Sequence, residues 1–411
     1  MKATKAILTS QRRQCGLSLI EILVGIVIGM IGMVVIFQVL AVAEDRKRNT
    51  TVGSDAQSSG AIGLYLLQRD VQLGGYGFGA ADTKQLGCGV KASHGGAAFT
   101  FPLIPVEIIQ PGDPRNPHPT ADMIAVLRGS SQYLPASRPF AASTNESKTM
   151  QTNGRPGFDF GDLLVVTSTP QVAPAGTKTE CALVQVTHRP AGSDELEHKA
   201  SYQVGITLPA GATSTPEFNQ SPRPAFAATN GFAFDLGAQP RLNRWSISNN
   251  RLTVVDQLFG FGEEIADSVI DLQAEYAVDL NGDNLIGANE WTSTAPTGAA
   301  PTDPNNLCID NPTTSWRCVR AIRVALLARS GQWDKNHCNA NPQWTSGASG
   351  ALMMTSFAMR NVDGSANSFG GCVPGEPIAV ADQNPNNWRQ YRYRVYEAVI
   401  PLRNVIWGTA S

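Results

Sequence analysis

The chain has 411 residues, with 32 Lys and Arg against 34 Asp and Glu and a formal charge of −2. That length exceeds one small domain, and the balanced charge excludes a strongly basic nucleic-acid-binding surface. Its 39 Gly, 26 Pro and 16% charged residues suit a loop-rich β protein better than a helical one.

The first predicted element is an apolar helix. Four cations and no acid (Lys2, Lys5, Arg12 and Arg13) precede Cys15-Gly16-Leu17-Ser18-Leu19-Ile20-Glu21. Beyond Glu21, the run to Ala43 has Gln38 as its only strongly polar residue. At a helical rise of about 1.5 Å per residue, the 27 residues from Leu17 to Ala43 reach roughly 40 Å. A bilayer core is about 30 Å thick. The basic leader favours the cytoplasmic side, which leaves the remainder of the chain outside the inner membrane.

Glu21 needs a reason, because a carboxylate inside such a helix costs on the order of 2.5–3.5 kcal/mol to insert. Cleavage after Gly16 would place the new ammonium of Leu17 within a turn of Glu21, on its own or a neighbouring subunit. That ion pair would offset the burial cost and set the register of stacked helices. A secretory signal peptide would have a shorter apolar core with its cleavage site after it. A plain membrane anchor leaves Glu21 unexplained.

Gly16-Leu17-Ser18-Leu19-Ile20-Glu21 resembles the class III signal of type IV pilins, with Leu17 where Phe is usual and Ser18 where Thr is usual. Both changes keep an apolar residue followed by a small polar one. The resemblance implies that prepilin peptidase cuts after Gly16, that Leu17 is N-methylated, and that Glu21 is the assembly glutamate.

A charged collar, Glu44 to Arg48, follows the apolar run. The segment Thr50 to Gly60, with Gly53, Ser58, Ser59 and Gly60, is weaker helix. Helical periodicity returns in Ile62, Leu66, Val71 and Leu73, and Gly74-Gly75 stops it. The expected division is a leader at 1–16, a helix at 17–75 that is transmembrane in its first half, and a β-rich head at 76–411. Gly25, Gly29 and Gly32 would let neighbouring helices approach closely. Removing the leader's four cations takes the formal charge from −2 to −6.

In the head, Met123 to Leu127, Leu163 to Thr167 and Ala182 to Thr187 are predicted strands, separated by turn clusters such as Gln110 to Pro119. Ser137 to Gly157 reads as an exposed loop. Arg244 to Ser248 and Leu252 to Val255 bracket Asn249-Asn250, a hairpin turn. Ser268 to Val278 reads as a strand, Cys318 to Ala328 as a central strand, and Tyr391 to Ile406 as a long terminal strand. Leu66-Leu67-Gln68-Arg69-Asp70 with Gly74-Gly75-Tyr76 resembles the helix end of PilW-type minor pilins. So do Val269 to Asp283, Val319 to Ser330 and Val399 to Asn404, while Ala80 to Pro240 matches most loosely.

Cys15 leaves with the leader. Cys88, Cys181, Cys308, Cys318, Cys338 and Cys372 remain, an even set that suggests three disulfides outside the cytoplasm, with 15 pairings open. The nine-residue loop between Cys308 and Cys318, containing Asn311-Pro312, favours that pair. Cys338–Cys372 and Cys88–Cys181 complete the expected set; the alternative is free buried thiols.

Asp279-Leu280-Asn281-Gly282-Asp283-Asn284-Leu285-Ile286-Gly287-Ala288-Asn289-Glu290 fits the twelve-position calcium loop. Asp279, Asn281, Asp283 and Glu290 would bind Ca2+ by side chain and Leu285 by its carbonyl. Asn284 stands where glycine is usual, and Asn tolerates the left-handed conformation. Three acids in one loop would repel without a cation. A metal-free Asx-rich turn is the alternative. Because the preceding segment is a strand, this would be a calcium loop on a β frame.

Catalytic patterns are missing. The histidines (His94, His118, His188, His198 and His337) are scattered, and there is no HExxH, GxSxG or phosphate-binding glycine loop. His188 and His198 are expected on a surface loop. Trp291, Trp316, Trp333, Trp344 and Trp388 are expected to anchor core or loops rather than a binding face. The expected fold is α+β and pilin-like: a long N-terminal transmembrane and assembly helix packed on a large antiparallel, disulfide-containing head.

The resemblance implies a minor pilin that primes fibre assembly at the tip, with other minor pilins, the major pilin, a PilY-type tip adhesin and prepilin peptidase as partners. It would sit in the inner membrane with a periplasmic head, then at the pilus tip. A type II secretion pseudopilin and a membrane-anchored, calcium-dependent adhesin are the alternatives. No enzymatic role and no nucleic acid are expected.

Overall fold

The computed structural model describes residues 18–79, 86–131, 138–139, 150–151, 157–168, 180–192, 195–220, 231–296, 316–334, 338–347, 351–365, 372–376, 378 and 383–407. The molecule is α+β and mostly sheet. It divides into two compact units, residues 1–54 and 55–411.

One helix, Leu19–Leu73, runs 55 residues. It passes unbroken through 50–60, where the sequence reads as weaker helix. Two glycines at and just beyond the end of that segment serve packing: a Cβ on Gly60 would fall on the Tyr396 ring, and one on Gly63 would lie 3.0 Å from Leu252 Cδ2. Around Gly60 and Gly63 the helix therefore lies close to the strands that carry Tyr396 and Leu252. It ends at Gly74-Gly75, and Gly75 takes φ +82°, a left-handed conformation that glycine adopts without a steric penalty.

Among the described residues, the head holds three larger sheets and two small strand pairs. The first sheet orders Ala97–Pro102, Gly89–His94, Glu180–Gln185, Leu163–Ser168, Gly231–Gly237 and Arg138–Pro139. All its neighbours are antiparallel except Gly89–His94 beside Glu180–Gln185. The second sheet is an antiparallel series of Gly262–Asp267, Arg251–Asp256, Arg241–Ser248, Met123–Arg128 and Val106–Ile109. The third orders Trp291–Thr292, Val269–Val278, Val319–Arg329 and Tyr393–Pro401.

Asn249 and Asn250 turn the hairpin between Arg241–Ser248 and Arg251–Asp256 at φ 51° and 60°. Positive φ at both central residues is the primed turn that matches strand twist. Val319–Arg329 lies between two strands and is buried on nearly every residue, so strict alternation is not required of it. Leu67 and Val71 of the helix join a core with Trp245, Leu252, Leu272 and Leu326. Trp291, Trp316, Trp344 and Trp388 are buried, and Trp333 is half-buried.

Two expectations are corrected. The terminal strand is Tyr393–Pro401, not a strand to Ile406: the chain turns after Pro401, and a short helix follows at Arg403–Trp407. Leu402 and Val405 are buried there, and the Leu402 N–H donates to the Arg320 carbonyl. The segment from His188 to His198 is a surface loop only in part: residues 191 and 192 are exposed, but His188 bridges to Glu197 and His198 is buried. Thr187 closes it, its N–H on the Glu197 carbonyl and its Oγ1 accepting from the Lys199 N–H at 2.7 Å. The expected loop Ser137 to Gly157 lies mostly outside the described residues.

Cys88 is bonded to Cys181 and Cys338 to Cys372, with Cα atoms 5.9 and 5.8 Å apart. Cys318 is disulfide-bonded too, and its expected partner Cys308 lies outside the described residues.

The sheets bury acids. Burial pushes Asp122 up to about 7, with repulsion from Asp271 and Glu275 added, and pushes Asp271 up to about 7. Folded Asp122 and Asp271 therefore hold protons that the unfolded chain releases above its ordinary value of 3.8. Stability from these groups is complete below that value and is lost as pH rises to about 7. His118 and His188, whose pKa burial lowers, act with the opposite sign below 6.5. Chemical unfolding of Asp122→Asn across this window is expected to show a smaller decline with rising pH than the wild type. Parallel curves would refute it.

Candidate functional site

The long helix opens with a capping box. Ser18 Oγ accepts from the Ile20 N–H at 3.4 Å, and Glu21 Oε2 accepts from the Ser18 N–H at 3.0 Å. Glu21 thus satisfies an N–H that the helix itself cannot, and its negative charge stands at the positive end of the helix dipole. Leu19–Glu44 is long and apolar enough to cross a membrane, with a mean hydropathy of 2.8. Its large apolar side chains are exposed from Leu19 to Val42. A Cβ on Gly25, Gly29 or Gly32 would meet nothing within 4 Å.

Near its other end the helix is fixed to the head by Asp70, which is only 7% exposed. One carboxylate oxygen accepts from Arg128 Nε at 3.1 Å. The other accepts from Asn243 Nδ2 at 2.9 Å and from Trp245 Nε1 at 2.8 Å. Charge-assisted hydrogen bonds of this kind are about twice as strong as neutral ones. Just beyond, Asn404 Nδ2 donates to the carbonyls of Leu73 and Gly74, tying the helix end to the C-terminal turn.

The loop from Asp279 to Glu290 joins Val269–Val278 to Trp291–Thr292. Buried Asp279 accepts from the Gly282 and Asn284 N–H groups at 2.7 and 3.1 Å. Asn281 and Asp283 accept from the N–H groups of Asp283 and Leu285 at 3.0 and 2.7 Å. Glu290 divides its oxygens between the N–H groups of Leu280 and Gly287, at 2.9 and 2.6 Å. Gly282 and Asn284 take φ 74° and 63°. Arg320, on the adjoining strand, donates to Asp279 Oδ2 at 3.2 Å and to Asn284 Oδ1 at 2.6 Å. The repulsion expected among the loop acids is therefore relieved by a cation from the chain itself. The donor types suit calcium, but among the described residues no three His, Cys, Asp or Glu side chains are grouped to hold a metal ion.

Two family models match the chain. Residues 235–404 match the type IV pilus-assembly protein W family, PilW, and residues 11–37 match the prokaryotic N-terminal methylation motif. A PilW region behind a prepilin methylation motif supports a PilW-like type IV minor pilin. No curated protein and no solved structure matches it.

In this PilW-like pilin the matched head region contains the second half of the Asp70 anchor, the Asp279 loop and the whole third sheet. Gly16 and Leu17 lie within the methylation motif and outside the described residues. With its apolar helix and this motif, the PilW-like pilin is anchored in a membrane, and its family is structural rather than enzymatic. Membership implies association with other pilus components and processing by prepilin peptidase. The sequence reading passes over the capping role of Glu21, the Asp70 anchor and Arg320. The first is visible as Ser-x-x-Glu; the other two join residues far apart in the chain.

Proposed function

We propose that this pilin primes fibre assembly and occupies the tip or initiating position, together with other minor pilins, the major pilin and a PilY-type adhesin. Prepilin peptidase would cut after Gly16, Leu17 would be N-methylated, and Glu21 would place the helix against its neighbours while the head waits in the periplasm. The coexistence of a methylation motif with a PilW region in one chain carries this reading. The length of the head, expected at 76–411, supports a position occupied once rather than repeated along a slim fibre. Immunogold labelling of intact pili is expected to mark fibre ends. Label spread evenly along the shaft would refute the tip position.

The Asp279–Glu290 loop is proposed to take Ca2+ in exchange for Arg320, through Asp279, Asn281, Asp283, Glu290 and the Leu285 carbonyl. The alternating oxygen donors and the guanidinium now neutralising Asp279 support this. In calorimetry of the full chain in detergent, Arg320→Gln is expected to strengthen calcium binding and Asp279→Ala to abolish it. No binding heat at millimolar calcium in either wild type or Arg320→Gln would refute it.

A further inference from the structure

A cleft of about 340 Å³ opens in the head among the strand end at His94, the segment around Glu217, and the turns near Gln239 and Phe261. That volume lies at the small end of ligand clefts, which run about 300–1,000 Å³. One wall is aromatic. The His94 ring stacks on Phe218 at 4.9 Å, and Phe259 stands edge-on to Phe218 at 5.7 Å. Phe261 lines the same cleft and is 66% exposed, so its ring is open to a ligand.

The charged groups of the lining are already engaged. His94 Nε2 and Glu217 Oε2 are 2.8 Å apart, and Arg241 is engaged by Asp256 at 2.8 Å. Each of them therefore has a polar partner at 2.8 Å before any ligand arrives. Gln239 presents an amide, its side chain lying against Gly211. Gln185 is 5% exposed and also lines the cleft. Its Nε2 donates to the Gly161 carbonyl, while its buried Oε1 has no donor among the described residues.

We propose that this cleft binds a neutral sugar ring. A pyranose has an apolar face for Phe261 and hydroxyls that both donate and accept, which suits the Gln239 amide and the Glu217 carboxylate. The site is independent of the assembly role and of the Asp279 loop.

The test is saturation-transfer NMR on the full chain in a detergent without a sugar headgroup. The probes are D-glucose, D-galactose and N-acetyl-D-glucosamine. Transfer to at least one sugar is expected, with affinity weakened roughly tenfold by Phe261→Ala and by Gln239→Ala. Thermal unfolding of Phe261→Ala should match the wild type, since the ring is exposed. Preference for the acetylated sugar would support an amino-sugar polymer as the source, and preference for the hexoses a surface glycan. No transfer to any of the three, or transfer that both variants leave unchanged, would overturn the proposal. So would transfer only to the peptide Gly-Phe-Gly, which would assign the cleft to a protein partner.

Discussion

Replacing Asp70 by Ala is expected to lower the unfolding free energy of the head by about 3–5 kcal/mol, a large share of typical domain stability. The loss has two parts. Hydrogen bonds to a charged acceptor are worth about 1.5–3 kcal/mol, and a buried donor left alone costs about 1–3 kcal/mol. Trp245 is buried, so its indole N–H would be left without the carboxylate, whereas the Arg128 side chain is 30% exposed and can turn to water. Asp70→Asn keeps one carbonyl oxygen for one of the donors and should lose roughly half as much. Denaturant unfolding of the full chain in detergent, followed by tryptophan fluorescence, reads both variants. A change below about 1 kcal/mol for Asp70→Ala would show that apolar packing and the Asn404 tie hold the helix without the Asp70 anchor.

The second large effect concerns the disulfides. Cys88–Cys181 closes 93 residues and Cys338–Cys372 closes 34. Loop-closure entropy assigns them roughly 4.6 and 3.8 kcal/mol, values that native strain and denatured-state structure reduce. The first also secures the parallel pairing of Gly89–His94 with Glu180–Gln185, a contact between distant parts of the chain. Paired Cys88→Ala and Cys181→Ala substitutions should therefore destabilise more than the same change at Cys338 and Cys372. Two losses under about 1 kcal/mol, or the reverse order, would contradict this account.

What the sequence reveals is mostly local. Asn249-Asn250 announces its hairpin because both residues tolerate positive φ. Gly74-Gly75 announces the helix end because a left-handed residue is needed there. Val319–Arg329 reads as central from a run too apolar to alternate. The overextended terminal strand shows the limit: Val405 and Ile406 are apolar enough for a strand, yet Val405 is buried as part of a helical turn after Pro401.

Features that join distant residues stay hidden. Asp70 meets partners 58, 173 and 175 residues away. Arg320 reaches the Asp279 loop across 41 residues because two strands happen to be neighbours. Nothing in the local sequence distinguishes Asp70 from the helix's other acids, and nothing in the loop names the cation that neutralises it. Glu21 is the intermediate case. Its cost inside an apolar helix points to assembly, while Ser18-Leu19-Ile20-Glu21 also spells a capping box within the same turn. The two roles are compatible, since one carboxylate oxygen remains for a neighbouring subunit's ammonium.

The central claim is that this chain is processed after Gly16 and built into a fibre. Mass spectrometry of the N-terminal peptide, comparing sheared surface fibres with membranes, tests it most directly. A peptide beginning at methylated Leu17 in the fibre fraction is the predicted result. An intact Met1 peptide confined to membranes would contradict it and favour a membrane-anchored adhesin.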